Sequence, residues 1–459
     1  MNNSLAKQRA VAVVGLGKIG LPLAIQYVRA GFRVVGCDIN EQVVSGINAG
    51  VSHVHEEPGL EEAVASAVAE GLLSATTDTS AGVRAVDVVV VIVPVVVKDQ
   101  GEIDFRSLDS ASAAVGAGLQ PGTLIIYETT LPVGTTAGRI RETLEGASQQ
   151  TAGLGFLLAY SPERVSSGVI FRDLKTYPKV VGGLNTRSAE AAEAFYREAL
   201  GAKIIRMASC DEAEFVKLIE TTYRDVNIAL ANEYAMFADA HGVDFAAAAA
   251  AANSQPYSHI HASGPGVGGH CIPVYPYFLM AGAASGLDLA RAARRINDGM
   301  AGYVARRLEA VLGDLDGQTI LLLGVTYRGD VRETAFTSAR LVREALMAHG
   351  ATVLVDDPLY TAAELEDMGF APLDESRRHA VRAVVLQSAH AIFRELDFSQ
   401  FPNCQVALDG RGGLTRAAVE AAGMRYIAIG DGQGGAAAGS AVGKEGEADE
   451  APEAWPSAT

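Results

Sequence analysis

With 459 residues, 49% of them apolar and 20% charged, the chain is long enough for two or three domains with well-filled cores and is no mostly disordered polymer. Its 37 Lys and Arg against 54 Asp and Glu leave a formal charge of −17. That balance argues against nucleic acid or an anionic membrane as partner, since either needs a concentrated basic face. The longest apolar run, residues 88–97, is interrupted by Pro94 and falls well short of the roughly 20 residues of a membrane span. Residues 1–9 are polar and do not read as a signal peptide. Four cysteines (Cys37, Cys210, Cys271, Cys404) in so long a chain do not make a secreted disulfide framework. A soluble, cytoplasmic enzyme is expected.

In chain order, residues 10–14 predict a strand that ends in Gly15-Leu16-Gly17-Lys18-Ile19-Gly20. A helical pattern follows over 21–29, and a second strand, 33–36, leads to Asp38. Strand, glycine turn, helix, strand is the opening of a dinucleotide-binding domain. Strands at 86–93, 123–127 and 155–159, with helical stretches between them, continue the alternation as a parallel sheet. Residues 211–241 contain no Gly or Pro and predict one helix, too long for a crossover and suited to joining two domains. The alanine-rich run 246–252 is helix-prone, and 253–276 is dense in Gly, Pro and His. A second α/β unit follows, with strands at 319–324, 351–355, 383–386 and 405–409 and a helix at 338–349. The expected fold is therefore α/β, two Rossmann-like domains joined by a long central helix and a helical middle domain. The boundaries read as 1–208, 209–312 and 313–430, with a disordered acidic tail over 431–459.

Two glycine-rich segments carry chemistry. In the first, Gly15 makes a tight turn, Gly17 lets backbone approach a pyrophosphate, and Gly20 lets helix pack on strand. Asp38 follows at the distance at which a carboxylate accepts from a ribose diol and repels a 2′-phosphate, which favours NAD over NADP, with Arg33 nearby. The second is Gly264-Pro265-Gly266-Val267-Gly268-Gly269-His270-Cys271-Ile272-Pro273. A thiol at the end of such a turn can come close to a substrate carbon, and so many glycines would serve a packed core poorly. Cys37, Cys210 and Cys404 lack this setting and read as structural. No metal is expected.

GPGVGGHCIP resembles the active-site cysteine segment of the UDP-glucose/GDP-mannose dehydrogenase family, the nucleotide-sugar dehydrogenases. Other pieces match in order: VGLGKIGLPLA at 14–24, ETTLPVGTT at 128–136, SPERV at 161–165, FVKLIETTYRDVNIALANE at 215–233, RRINDGM at 294–300 and DVRET at 330–334. The resemblance covers roughly 10–429. It implies an NAD-dependent, four-electron oxidation of a sugar C6 alcohol to a carboxylate, through a thiohemiacetal and a thioester on Cys271. In this family pattern Lys217 stabilises oxyanion charge, Thr130 and Glu163 position water and assist proton transfer, and Thr221 stands where an asparagine is usual. The cofactor would be held by Gly15, Gly17, Lys18, Ile19, Gly20, Asp38, Thr130 and Arg332. The nucleotide sugar would meet Glu163, Arg164, Lys217, Thr221, Gln255, His259, Gly268, Tyr277, Arg328 and Arg411. Such an enzyme would form a homodimer on the long helix and supply polysaccharide biosynthesis.

The chain departs from the family pattern in several places. The aspartate four residues after the cysteine is Tyr275, which leaves Tyr275 and His270 as candidates for its work. Ser167 replaces a second glutamate found in the glucose branch, Val95-Val96 replaces a Thr-Pro, and the loop carrying Arg328 is shorter than the common form. SPERV, DVNIALANE and GGHCIP resemble the branch acting on UDP-N-acetylhexosamines, UDP-N-acetylmannosamine or UDP-N-acetylglucosamine for instance. UDP-glucose or GDP-mannose is the alternative substrate. A simple two-electron dehydrogenase and a catalytically impaired nucleotide-sugar-binding homologue are the alternative functions.

Overall fold

The computed structural model describes residues 9–98, 102–283 and 286–433; from 434 on, the expected acidic tail lies outside the described residues. These residues divide into two compact units, 9–220 with 277–283, and 221–276 with 286–433. The division falls inside the long helix Cys210–His241, between Glu220 and Thr221. Among the described residues no helix is long and apolar enough to cross a membrane.

The first unit is built on an eight-stranded sheet. Its strands are β1 (Ala10–Val14), β2 (Arg33–Cys37), β3 (Leu73–Thr76), β4 (Val88–Val91), β7 (Leu124–Tyr127), β8 (Leu157–Tyr160), β9 (Lys179–Gly183) and β10 (Ile204–Arg206). A small antiparallel hairpin, β5 (Val96–Val97) with β6 (Ile103–Asp104), stands apart from them. The order is β10-β9-β8-β7-β4-β1-β2-β3. β1, β4, β7 and β8 are buried at every position, which is why they read as unbroken apolar runs rather than as alternation.

The sheet is not wholly parallel, as the sequence had suggested. β9 runs antiparallel to β8, and β10 follows β9. A parallel strand needs a connection that crosses the sheet face. Here the connection after β8 starts along the carboxyl edge, where Ser161 N donates to Tyr127 O at 2.9 Å and Glu163 N to Glu128 O at 3.3 Å, so the next strand enters reversed.

The second unit holds a five-stranded parallel sheet, β11 (Thr319–Leu323), β12 (Thr352–Asp356), β13 (Val381–Leu386), β14 (Val406–Asp409) and β15 (Arg425–Ala428), in the order β12-β11-β13-β14-β15. The order reverses at β11, and a ligand crevice in such sheets opens at the carboxyl ends of the strands beside that point. Arg328 follows β11 and Arg411 follows β14 at that end. The alanine-rich helix Phe245–Ala252 is started by Asp244, whose carboxylate accepts from Ala247 N at 3.0 Å.

A buried polar lattice joins the long helix to the helix Asp288–Leu312. Arg294 Nη1 lies 2.5 Å from Asp225 Oδ1, and Arg294 also pairs with Asp298. Asn297 Nδ2 donates to the same Asp225 oxygen at 2.8 Å, and Asn232 Nδ2 donates to Asn297 Oδ1 at 2.9 Å. Removing one member of a buried pair leaves the other charge unmatched. Arg294→Met should therefore lower unfolding free energy by about 3–5 kcal/mol in urea denaturation; a loss under about 1 kcal/mol would mean that the lattice does not hold these helices together.

Candidate functional site

The glycine turn after β1 is shaped by its neighbours at two positions and by nothing in the protein at a third. Gly15 has φ +94°, and a Cβ there would meet Ile92 O at 2.6 Å. A Cβ on Gly20 would lie 1.8 Å from Gly15 O, so only glycine lets the helix Gly20–Arg29 start against the turn. Gly17 has no atom within 4 Å of its Cβ position, so packing does not require glycine there. The first helical turn has no acidic residue, and Ile19, at the N-cap, offers no side-chain acceptor, so its N–H groups suit an anion. Asp38 Oδ2 accepts from Leu16 N at 2.8 Å and Oδ1 from Asn40 N at 2.9 Å, which fixes the carboxylate while its remaining lone pairs can serve a ribose. Lys18 Nζ lies 3.2 Å from Glu56. These residues fit a dinucleotide.

The carboxyl ends of β7 and β8 bring Thr130 and Glu163 into the same unit. Thr130 is buried. Glu163 Oε1 accepts from Val165 N at 3.0 Å, and Oε2 from Lys179 Nζ at 2.8 Å. Lys179 also donates to Glu128 Oε2 at 2.8 Å. Burial works to raise Glu163, but the Lys179 ammonium, the Glu128 side chain and a backbone donor outweigh it and hold the carboxyl below the usual carboxylate range, while burial holds Glu128 above it. Arg164 pairs with Glu220 and donates to Pro178 O at 3.1 Å. Glu214, which burial pushes up to about 7, accepts from Gly134 N at 2.6 Å and from Thr136 N at 2.8 Å, fixing the segment after Thr130. Lys217, half-buried, lies three residues further along the same helix, and Thr221, buried, one turn beyond it.

In the second unit the cysteine loop is held along its length. Gly264 N donates to Asn232 Oδ1 at 2.9 Å, Arg411 Nη2 to Gly266 O at 2.8 Å, and Gly269 N to Ala335 O at 2.9 Å. A Cβ on Gly264 would meet Arg411 Nη1 at 2.5 Å, and one on Gly268 would meet Tyr327 Cβ at 2.8 Å. Cys271 ends this loop and is the one cysteine that is not buried. Burial pushes the Cys37 thiol up to about 12 and Cys404 to about 11, and raises Cys210 as well, as befits the structural role read for them. His270 Nε2 lies 3.5 Å from Glu333 Oε2.

Of the other expected residues, Gln255 and His259 are exposed, and Gln255 Oε1 accepts from Tyr257 N at 2.9 Å. Arg328 is exposed, with its guanidinium 5.9 Å from the Tyr327 ring centre. Burial pushes Arg411 down to about 10, and it donates to Gln387 O at 3.1 Å. Arg332, expected at the cofactor, pairs with Glu364, donates to Leu359 O at 3.0 Å and lies over Tyr360. Tyr277 is half-buried and belongs to the first unit with Thr130, Glu163, Arg164 and Lys217; Thr221, Cys271, Arg328, Arg332 and Arg411 belong to the second. Lys179, Glu214 and Asn232 were missed. Nothing in the sequence around Lys179 marks it, whereas Glu128 stands inside a motif already singled out and was given no role.

Residues 9–200 match the NAD binding domain of the UDP-glucose/GDP-mannose dehydrogenase family, and 211–299 match its central domain. The chain is 34% identical to a UDP-N-acetyl-D-mannosamine dehydrogenase of Pyrococcus horikoshii over 87% of this chain and 95% of that one. It is 33% identical to an NDP-N-acetyl-D-galactosaminuronic acid dehydrogenase of Ralstonia nicotianae, over 88% of this chain and 96% of that one. Among solved structures, a UDP-D-ManNAc dehydrogenase from Pyrococcus horikoshii superposes with a TM-score of 0.83 at 32% identity, covering 92% of this chain and 100% of that one.

The two glycines of the turn separate folding from binding. Gly20→Ala should prevent soluble folding, whereas Gly17→Ala should leave the melting temperature within about 2 °C of wild type and weaken NAD by at least about tenfold, or about 1.4 kcal/mol, in titration calorimetry. Unchanged NAD affinity in Gly17→Ala would mean that the pyrophosphate does not lie against this turn.

Proposed function

The chain belongs to the UDP-glucose/GDP-mannose dehydrogenase family, and from that membership we propose that it oxidises the C6 alcohol of a UDP-N-acetylhexosamine to the carboxylate through a thioester on Cys271. It is an NAD-dependent nucleotide-sugar dehydrogenase. The observation that carries the mechanism is the half-exposed thiol at the end of a loop whose glycines are enforced by close neighbours, while the other three cysteines are buried.

Bound NAD supplies the hydride acceptor for both oxidation steps. Between them the Cys271 thiolate adds to the aldehyde carbon and forms a C–S bond, so the aldehyde stays attached to the chain. Lys217 meets the negative oxygen that this addition creates. Thr130 and Glu163 hold the water that attacks the thioester, breaking the C–S bond and returning the thiol. Thr221 takes the place of the usual asparagine. His270, paired with Glu333, is the base nearest in sequence to Cys271 where Tyr275 replaces the usual aspartate.

In this reading 1–208 bind NAD at Gly15, Gly17, Lys18, Ile19, Gly20 and Asp38, and 209–312 carry the cysteine. Residues 313–430 bind the nucleotide diphosphate sugar through Arg328 and Arg411. Arg164, Gln255, His259, Gly268 and Tyr277 complete the sugar site, and Arg332 borders the cofactor. The names of the relatives support an N-acetylated hexosamine as the sugar. Phe215, Ile219, Tyr223, Leu230, Tyr234 and Phe237 are exposed along one face of the long helix at spacings of three, four and seven; a second copy of the chain would cover that stripe and make a homodimer. The enzyme would work in the cytoplasm and supply polysaccharide biosynthesis. Tyr275 favours one other reading, a nucleotide-sugar-binding protein with impaired turnover.

An NADH assay across UDP- and GDP-sugars decides. The expected outcome is two NADH per UDP-N-acetylhexosamine, with Cys271→Ser lowering the rate of acid formation by at least about a thousandfold. Sugar binding with no NADH formed would support the impaired reading, and wild-type acid formation by Cys271→Ser would rule out the thioester.

A further inference from the structure

Because β9 runs in reverse, its first residue, Lys179, stands at the carboxyl edge of the sheet, where β7 and β8 deliver Glu128 and Glu163. Its ammonium is 2.8 Å from each carboxylate, and the three side chains are only 6%, 0% and 11% exposed for Lys179, Glu128 and Glu163. Tyr27 OH donates to Glu128 Oε1 at 3.3 Å, Tyr196 OH donates to the same oxygen, and the ammonium lies 5.0 Å from the Tyr196 ring centre. Beside Glu163 and Lys179 is a cavity of about 10 Å³, also lined by Asp173 and Tyr177; Asp173 is itself paired with Arg172.

One cation here serves two acids. With both carboxylates ionised the cluster would carry a buried net charge of −1, so one acid holds a proton more readily than the other. Glu163, supported by backbone N–H groups of Arg164 and Val165, is the acid kept ionised, and Glu128, deeper and backed by two phenols, takes the proton as pH falls. Apolar residues of the same volume often serve stability as well as a buried ion cluster does, so beyond joining these strands the cluster acts directly on Glu163, whose carboxylate it holds at 2.8 Å from the ammonium.

We propose that Lys179 is a positioning residue for the oxidation: its ammonium, shared with Glu128, fixes the Glu163 carboxylate as an oriented anion that accepts a hydrogen bond from water or a substrate hydroxyl. The proposal rests on the assignment of Glu163 to the reacting centre. Held this way Glu163 is a weak base, so its work is to orient the water rather than to keep its proton.

Lys179→Gln alone leaves two buried acids unmatched, so the test uses the double variant Lys179→Gln/Glu128→Gln, which removes one charge of each sign and leaves Glu163 without a counter-cation. Its kcat at pH 7 should fall by at least about tenfold, with KM for the sugar within about threefold, and the acid limb of its kcat profile should move up by about two pH units. Lys179→Arg should keep the wild-type limb. A double variant that folds with the wild-type kcat profile, or a Lys179→Arg variant with the same displaced limb, would overturn the proposal. Glu163→Gln separates the two claims: wild-type turnover there would remove Glu163 from the reacting centre, whereas loss there with an unmoved limb in the double variant rejects the role of Lys179 alone.

Discussion

A charge taken out of water has to be matched within hydrogen-bond reach, and that requirement organises the polar interior of both units. In the first, Lys179 answers Glu128 and Glu163. In the second, Arg294 answers Asp225 and Asp298, Arg307 answers Asp239 and Asp431, and His390 meets Asp357. Each cluster joins segments far apart in the chain, so each fixes tertiary geometry as well as charge. Among the described residues no carboxylate pairs with the Arg411 guanidinium, which is held by the carbonyls of Gln387 and Gly266. Carbonyls satisfy its N–H groups without cancelling its charge, and a cation left in that state is suited to an anionic ligand.

The same rule explains how so acidic a protein can take anionic ligands. Both NAD and a nucleotide diphosphate sugar carry negative charge, and a net charge of −17 repels them at long range. Most acidic groups near the candidate sites are already committed: Asp38 to backbone N–H groups, Glu163 to Lys179, Glu214 to Gly134 and Thr136. Local donors, rather than total charge, then decide what binds.

Periodicity and glycine chemistry made much of this legible in the sequence. The first strand, turn and helix, the long helix and four of the five strands of the second sheet were read to within two residues of their ends, because each has a pattern of its own. Strands β3, β9, β10 and β15 were not read, and three further features were missed. The direction of β9 leaves no mark in KVVGG, since a buried strand reads alike in either sense. Lys179 reads as a solvated residue at a strand start, and only the meeting of strands places it between carboxylates 51 and 16 positions away. The helix Asp288–Leu312 was passed over although RRINDGM within it had been noted, for its buried face includes Arg294, Asn297 and Arg307, polar residues that blur an apolar period.

The two glycine-rich segments look alike on the page and differ in what enforces them. In the cysteine loop, glycine at 266 and 268 is dictated by Ser338, Tyr327 and the backbone of 336–337, and at 269 by a φ of +95°, all features of the protein itself. At the turn after β1, Gly15 and Gly20 are dictated in the same way, but Gly17 faces open space. A glycine that the fold requires would persist in a protein that binds nothing. One that the fold does not require leaves room for a ligand to come close to the main chain; Gly138, Gly146 and Gly299 are as free of neighbours but lie inside helices, whereas Gly17 stands in the turn before a helix whose first N–H groups suit an anion. Gly17 thus points to the dinucleotide through its place in the turn between strand and helix, and the distinction from Gly15 and Gly20 could be drawn only once the neighbours of each glycine were known.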